Sequence, residues 1–121
     1  MTLPDLVVLT AAAGFGLMGA LALALPDRVL SQFGVGPLTA AGRNEVRAVY
    51  GGFGLAVAGL LWLARQAPDL RSGIVLTVGV AVLGMAGGRI VSALMDRGIA
   101  RAPAAYLALE LVFGTALLYA A

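Results

Sequence analysis

Four apolar runs dominate the chain, and each is close to the length a helix needs to cross a hydrocarbon core. In a chain of 121 residues this leaves little room for anything else. Lipid offers no hydrogen bonds, so a crossing segment must satisfy its own backbone, and only helices and closed barrels do so. The fold expected is all-α: a four-transmembrane-helix bundle, antiparallel up-down, in one integral membrane domain over residues 1–121. The helices are expected at about 6–25, 39–64, 72–96 and 103–121. Composition agrees. Only 12% of residues are charged, about half the share that coats a soluble domain.

The boundaries come from helix punctuation. Pro4 and Asp5 suit a helix start, and Pro26 ends or restarts the first helix. Val29, Leu30 and Phe33 share one face of a short segment that Gly34 and Gly36-Pro37 close, which predicts a short interfacial helix between helices 1 and 2. Thr39 is a plausible N-cap for the second helix. Pro68 and Asp69 predict a loop over 65–70, Gly98 ends the third helix, and Pro103 opens the fourth. No Lys or Arg precedes the first run, so a retained helix rather than a signal peptide is expected. Short connections make neighbouring helices antiparallel. Gly84 and Gly88 form a G-x-x-x-G, and Gly51 and Gly52 add a second small-residue patch; both are expected to let helices pack closely.

The chain has no cysteine and no histidine. Disulfides, thiol chemistry and imidazole chemistry are therefore excluded, and neither a metal site nor a cofactor is expected. Net charge is +2 and all the basic residues are arginines, which gives no patch suited to nucleic acid. Arg28, Arg43, Arg97 and Arg101, with Arg47 nearby, outnumber Arg65 and Arg71 on the other side. By the positive-inside rule the first group is cytoplasmic. The expected location is the inner membrane of a cell, multi-pass, with both termini periplasmic. Trp62 and Tyr119 at one level, and Tyr50 and Tyr106 at the other, fit two aromatic belts.

Two charges interrupt apolar spans. Arg89 falls in the run 73–92 and Glu110 in the run 104–121. An ionisable side chain near the middle of a membrane helix costs at least about 2.5–3.5 kcal/mol, so it usually has a partner or a role. Counted from the turn between the third and fourth helices, each lies seven residues inside, or about 10 Å at 1.5 Å per residue. On antiparallel neighbours they can meet. The second helix enters from the same side with Asn44, Glu45, Arg47 and Tyr50, and Ser92 lies one turn from Arg89. A one-sided polar cluster of Asn44, Glu45, Arg47, Tyr50, Arg89, Ser92 and Glu110 is expected. Arginine keeps its charge at all relevant pH, so the two glutamates would balance the two arginines.

The string Asn44-Glu45-Val46-Arg47-Ala48-Val49-Tyr50-Gly51-Gly52, followed by Gly88-Arg89-Ile90-Val91-Ser92, resembles a family of small four-helix bacterial membrane proteins, the domain of unknown function 4345. The family's pattern looks like N-E-x-R-A-x-Y-G-G, then G-R-x-x-S, with a proline after the first span, where this chain has Pro26. The resemblance covers almost the whole chain. It implies that Asn44, Glu45, Arg47, Tyr50, Gly51, Gly52, Arg89 and Ser92 are motif residues, and it brings no activity with it. In size and helix number the chain is also similar to DoxX-like membrane proteins, without their redox residues.

Two functions compete. An apolar pocket with a few convergent polar groups is the usual form of a small-molecule site. The cluster then holds a hydrophobic or amphiphilic ligand or lipid, and its arginines favour an anionic or hydrogen-bonding head. Alternatively the chain is a structural or accessory subunit of a larger membrane complex, or a homo-oligomer, with the charges serving helix packing. A through-path for ions is disfavoured, because only Thr77 and Thr115 lie toward the other side. Enzymatic chemistry is disfavoured too, since a glutamate held by arginine is a poor proton donor.

Overall fold

The computed structural model describes residues Met1–Ala121 and is helical throughout, with no strand. α1 covers Leu3–Ala24, α2 Pro26–Ser31 and α3 Ala40–Val46. A π-helical turn, Arg47–Gly52, joins α3 to α4, Phe53–Gln66. α5 covers Pro68–Met95 and α6 Arg101–Ala120. α1, the continuous stretch Ala40–Gln66, α5 and α6 are each long and apolar enough to cross a membrane, as a multi-pass membrane protein requires. Large apolar side chains stay exposed on all four, Leu17, Leu60, Val80 and Val112 among them. That is how helices look when their solvent is lipid. The chain gathers into two compact units, Leu9–Leu63, and Ala64–Ala121 together with Met1–Val8.

Three helices begin earlier than the punctuation predicts, each for a local reason. α1 starts at Leu3 because Thr2 and Asp5 form a reciprocal cap. The Asp5 carboxylate accepts from the Thr2 N–H (3.2 Å) and hydroxyl (2.9 Å), while the Thr2 hydroxyl accepts from the Asp5 N–H (3.3 Å). α5 starts at Pro68 rather than after a loop over 65–70, so a single residue, Ala67, separates it from α4. A proline at the first helical position has the right φ and lacks a donor that would be unsatisfied there, and Asp69 suits the positive end of the helix. α6 starts at Arg101, so Pro103 lies in its first turn rather than at its opening. At the other end of α5, Arg97 and not Gly98 takes the left-handed conformation, with φ 55°. Gly98 N–H then bonds back to the Ala93 carbonyl at 2.9 Å, closing a Schellman-type turn.

In the unit Leu9–Leu63, α1 runs antiparallel to the π turn and α4. Gly16 faces Ala58, Gly19 faces Leu55 and Gly51, and Gly51 faces Leu23. Backbone touches backbone here: a Cβ at Gly19 would lie 2.7 Å from the Gly51 carbonyl oxygen and 2.8 Å from the Leu55 nitrogen. The connector after α2 is tied at Leu38. Its N–H donates to Asp27 Oδ1 at 2.7 Å and its carbonyl accepts from Arg43 Nη1 at 2.8 Å. The expected Thr39 cap is present, accepting from the Gly42 N–H at 3.1 Å.

In the other unit, α5 and α6 pack antiparallel. The buried stripe of α5 is Val75, Val78, Gly79, Val82 and Ala86; that of α6 is Glu110, Gly114, Leu117 and Ala120. Both repeat at three- and four-residue steps, one face of a helix. A Cβ at Gly79 would sit 3.1 Å from Leu117 Cβ, and one at Gly114 would sit 2.7 Å from Leu83 Cγ. Gly84 and Gly88 do not serve this contact, since a Cβ at either meets nothing within 4 Å. At 100° per residue they lie about 140° and 180° around α5 from Gly79, which is why a G-x-x-x-G on the right helix falls on the wrong face. Arg71 Nη1 donates to Asp5 Oδ1 at 2.9 Å, tying the first turn of α1 to the start of α5.

Candidate functional site

Arg89 extends the buried stripe of α5 by one turn beyond Ala86, and Glu110 occupies the buried stripe of α6. Antiparallel packing through Gly79 and Gly114 brings the two to one level. The Arg89 Nε–H is shared between both carboxylate oxygens of Glu110, at 2.9 and 2.8 Å. Glu110 is the buried charged residue of the core, 7% exposed, whereas the Arg89 side chain is 24% exposed. The guanidinium also lies 5.4 Å from the centre of the Tyr106 ring, within cation–π range. Tyr106 precedes Glu110 by one turn on the same face of α6, so both meet Arg89.

Of the expected cluster, the structure brings Arg89 and Glu110 together. The other expected members have their own surroundings. Arg47 Nε donates to the Leu23 carbonyl at 3.0 Å, covering one of the orphan acceptors at the end of α1. Asn44 and Glu45 are exposed on α3, and Tyr50 is half-buried in the π turn. Gly51 is buried, and a Cβ there would press 2.8 Å from Leu23 Cδ2; Gly52 is exposed. Ser92 is exposed one turn beyond Arg89.

Beside the ion pair lies an open cleft of about 540 Å³ at the turn between α5 and α6. Arg89, Ser92 and Asp96 line it from α5 and its cap, and Gly98, Ile99 and Pro103 from the turn and α6. Gly88, open on its outer side, lines it as well. The lining mixes apolar surface with a few polar groups, the usual make-up of a small-molecule site. No three acidic side chains converge in a geometry that would hold a metal ion.

A family model described as Domain of unknown function (DUF4345) matches residues 5–121. The chain belongs to that family. The match runs through both compact units of this DUF4345 protein. No curated protein and no solved structure matches the chain. In this DUF4345 chain the string Asn44–Gly52 contains the π turn, where the Phe53 N–H bonds to the Ala48 carbonyl five residues back. π turns are rare insertions that recur at functional sites. Sequence reasoning missed Tyr106 and Asp96 as neighbours of Arg89. The four-residue step from Tyr106 to Glu110 was a usable signal for the first. For Asp96 it was the i, i+3, i+7 spacing of Arg89, Ser92 and Asp96, one face of α5.

Proposed function

We propose that this DUF4345 protein binds a hydrophobic or amphiphilic small molecule or lipid, with the polar part of the ligand at the α5–α6 cleft and its apolar part along α5. The observation that carries this reading is the Arg89–Glu110 pair set in an apolar span directly beside a cleft of about 540 Å³. A pair needed for helix packing alone has no reason to border open space. Exposed Met85, Ile90 and Val91 on α5 offer apolar surface next to it. The protein would act in the bacterial inner membrane with the α5–α6 turn on the cytoplasmic side and both termini periplasmic. Protein purified in mild detergent should carry a co-purifying amphiphile above the lipid background, and adding that compound back should raise the melting temperature. Absence of both would remove the reading.

A structural or accessory role is the second reading, either in a larger membrane complex or in a homo-oligomer. One observation favours it: Arg89 Nε is already committed to Glu110 and the guanidinium to the Tyr106 face, so the network closes on the protein's own side chains. A stoichiometric partner captured from native membranes would support it.

A further inference from the structure

We infer that the α5–α6 cleft selects a bilayer lipid whose head group carries a primary ammonium; this deepens the binding reading above and rests on it. The argument is charge bookkeeping within the lining. Two ionisable side chains border the cleft, Arg89 and Asp96. The arginine is neutralised by Glu110 through both carboxylate oxygens and is faced by Tyr106. Asp96 has no such counter-charge among the ion pairs of the protein, which are Arg71–Asp5 and Arg89–Glu110. The lining therefore carries one uncompensated negative charge, not the positive charge that counting arginines suggests. Arg97 and Arg101 flank the turn, but neither lines the cleft. Asp96 caps the C-terminal end of α5, the negative pole of a 28-residue helix. The Ser92 hydroxyl beside it can accept a further hydrogen bond. An ammonium with three N–H donors matches a carboxylate, a hydroxyl and a helix C-terminus, whereas a phosphoglycerol head has no cation to offer them.

The position suits a lipid rather than a soluble amine. Asp96 sits at the end of a membrane-crossing helix, the level of head groups, and Arg89 lies about 10 Å deeper at 1.5 Å per residue. From there the outer face of α5 is open at Gly88 and Gly84, where nothing approaches a Cβ within 4 Å. An acyl chain can follow that shallow track while the head stays at Asp96.

The test uses the full chain in nanodiscs of equal parts phosphatidylethanolamine and phosphatidylglycerol with identical acyl chains, so the two lipids differ in the group beyond the phosphate. Lipids retained by the released protein are counted by native mass spectrometry. The wild type should retain phosphatidylethanolamine about fivefold over phosphatidylglycerol, the factor of one exposed ion pair. Asp96→Asn should bring the ratio to about one, and Asp96→Lys should invert it. Asp96 is exposed, so neither change disturbs packing. Gly88→Phe fills the cleft from an unobstructed position and should remove the retained lipid. A wild-type ratio of one or below, with retention still abolished by Gly88→Phe, overturns the head-group inference and leaves the binding site standing. A wild-type preference that survives Asp96→Asn overturns it too. Retention that is absent, or that ignores Gly88→Phe, overturns both.

Discussion

Removing Arg89 strands a buried carboxylate, and the size of that effect follows from the unequal exposure of the pair. Glu110 is 7% exposed and lies between the apolar stripes of α5 and α6. Arg89→Ala takes away both contacts to its oxygens, at 2.9 and 2.8 Å, and nothing apolar nearby replaces them. Breaking a buried ion pair from one side costs about 3–5 kcal/mol, and the partial exposure of Arg89 puts this case near 3. The reverse change, Glu110→Ala, leaves an arginine that is 24% exposed and still over Tyr106. Its long stem lets the head move toward the interface, so the loss should be smaller, about 1.5 kcal/mol. In the double mutant no charge is stranded, and the loss should be about 2 kcal/mol rather than the sum of the singles. The coupling is then about 2.5 kcal/mol. Equilibrium unfolding in mixed micelles, titrated with dodecyl sulfate and followed by circular dichroism and the single tryptophan, Trp62, gives all three values. Losses that add within about 0.5 kcal/mol would refute the reasoning, because independent sites behave that way. Equal losses for the two single mutants would refute the part that rests on exposure.

Further expectations concern packing and backbone. Gly19→Ala should cost about 2 kcal/mol or more, since the new methyl meets backbone atoms of Gly51 and Leu55 and flexible side chains cannot yield instead. Gly84→Ala should stabilise by a few tenths of a kcal/mol up to about 1, because the methyl meets nothing and alanine favours the helix; thermal melts of the two variants check the contrast. Arg97→Gly should stabilise by about 1 kcal/mol by relieving a left-handed arginine at φ 55°, read as a raised melting temperature. Asp27→Ala should free the Leu38 N–H and speed its hydrogen exchange, while exchange in α5 stays unchanged.

The ion pair shows why part of the site was legible. Arg89 and Glu110 each lie seven residues from a shared turn, and antiparallel neighbours must then place them at one depth. Depth follows from rise per residue alone. Rotation about the helix axis and the choice of partner do not. Gly84 and Gly88 have the spacing of a packing motif, yet the tertiary contact uses Gly79 and Gly114, on another face of α5 and on α6. Arg43 turns to Leu38 and Arg47 to Leu23, two backbone carbonyls that no residue pattern marks as acceptors.

What the sequence by itself determined was the solvent and the architecture. Four apolar runs of bilayer-crossing helix length with few charges point to helices, because lipid requires a closed backbone and a barrel strand crosses in only about 9–11 residues. It also determined that Arg89 and Glu110 needed partners. The tertiary structure decided who those partners were. It chose Glu110 and Tyr106 for Arg89, inserted a π turn into Asn44–Gly52, and opened a cleft whose uncompensated charge is Asp96. The physical reason is range. Burial and hydrogen-bond satisfaction along one helix are local and can be read in order, whereas pairing depends on which faces two helices turn toward each other. That is set by close packing at a few glycines far from the charges they bring together.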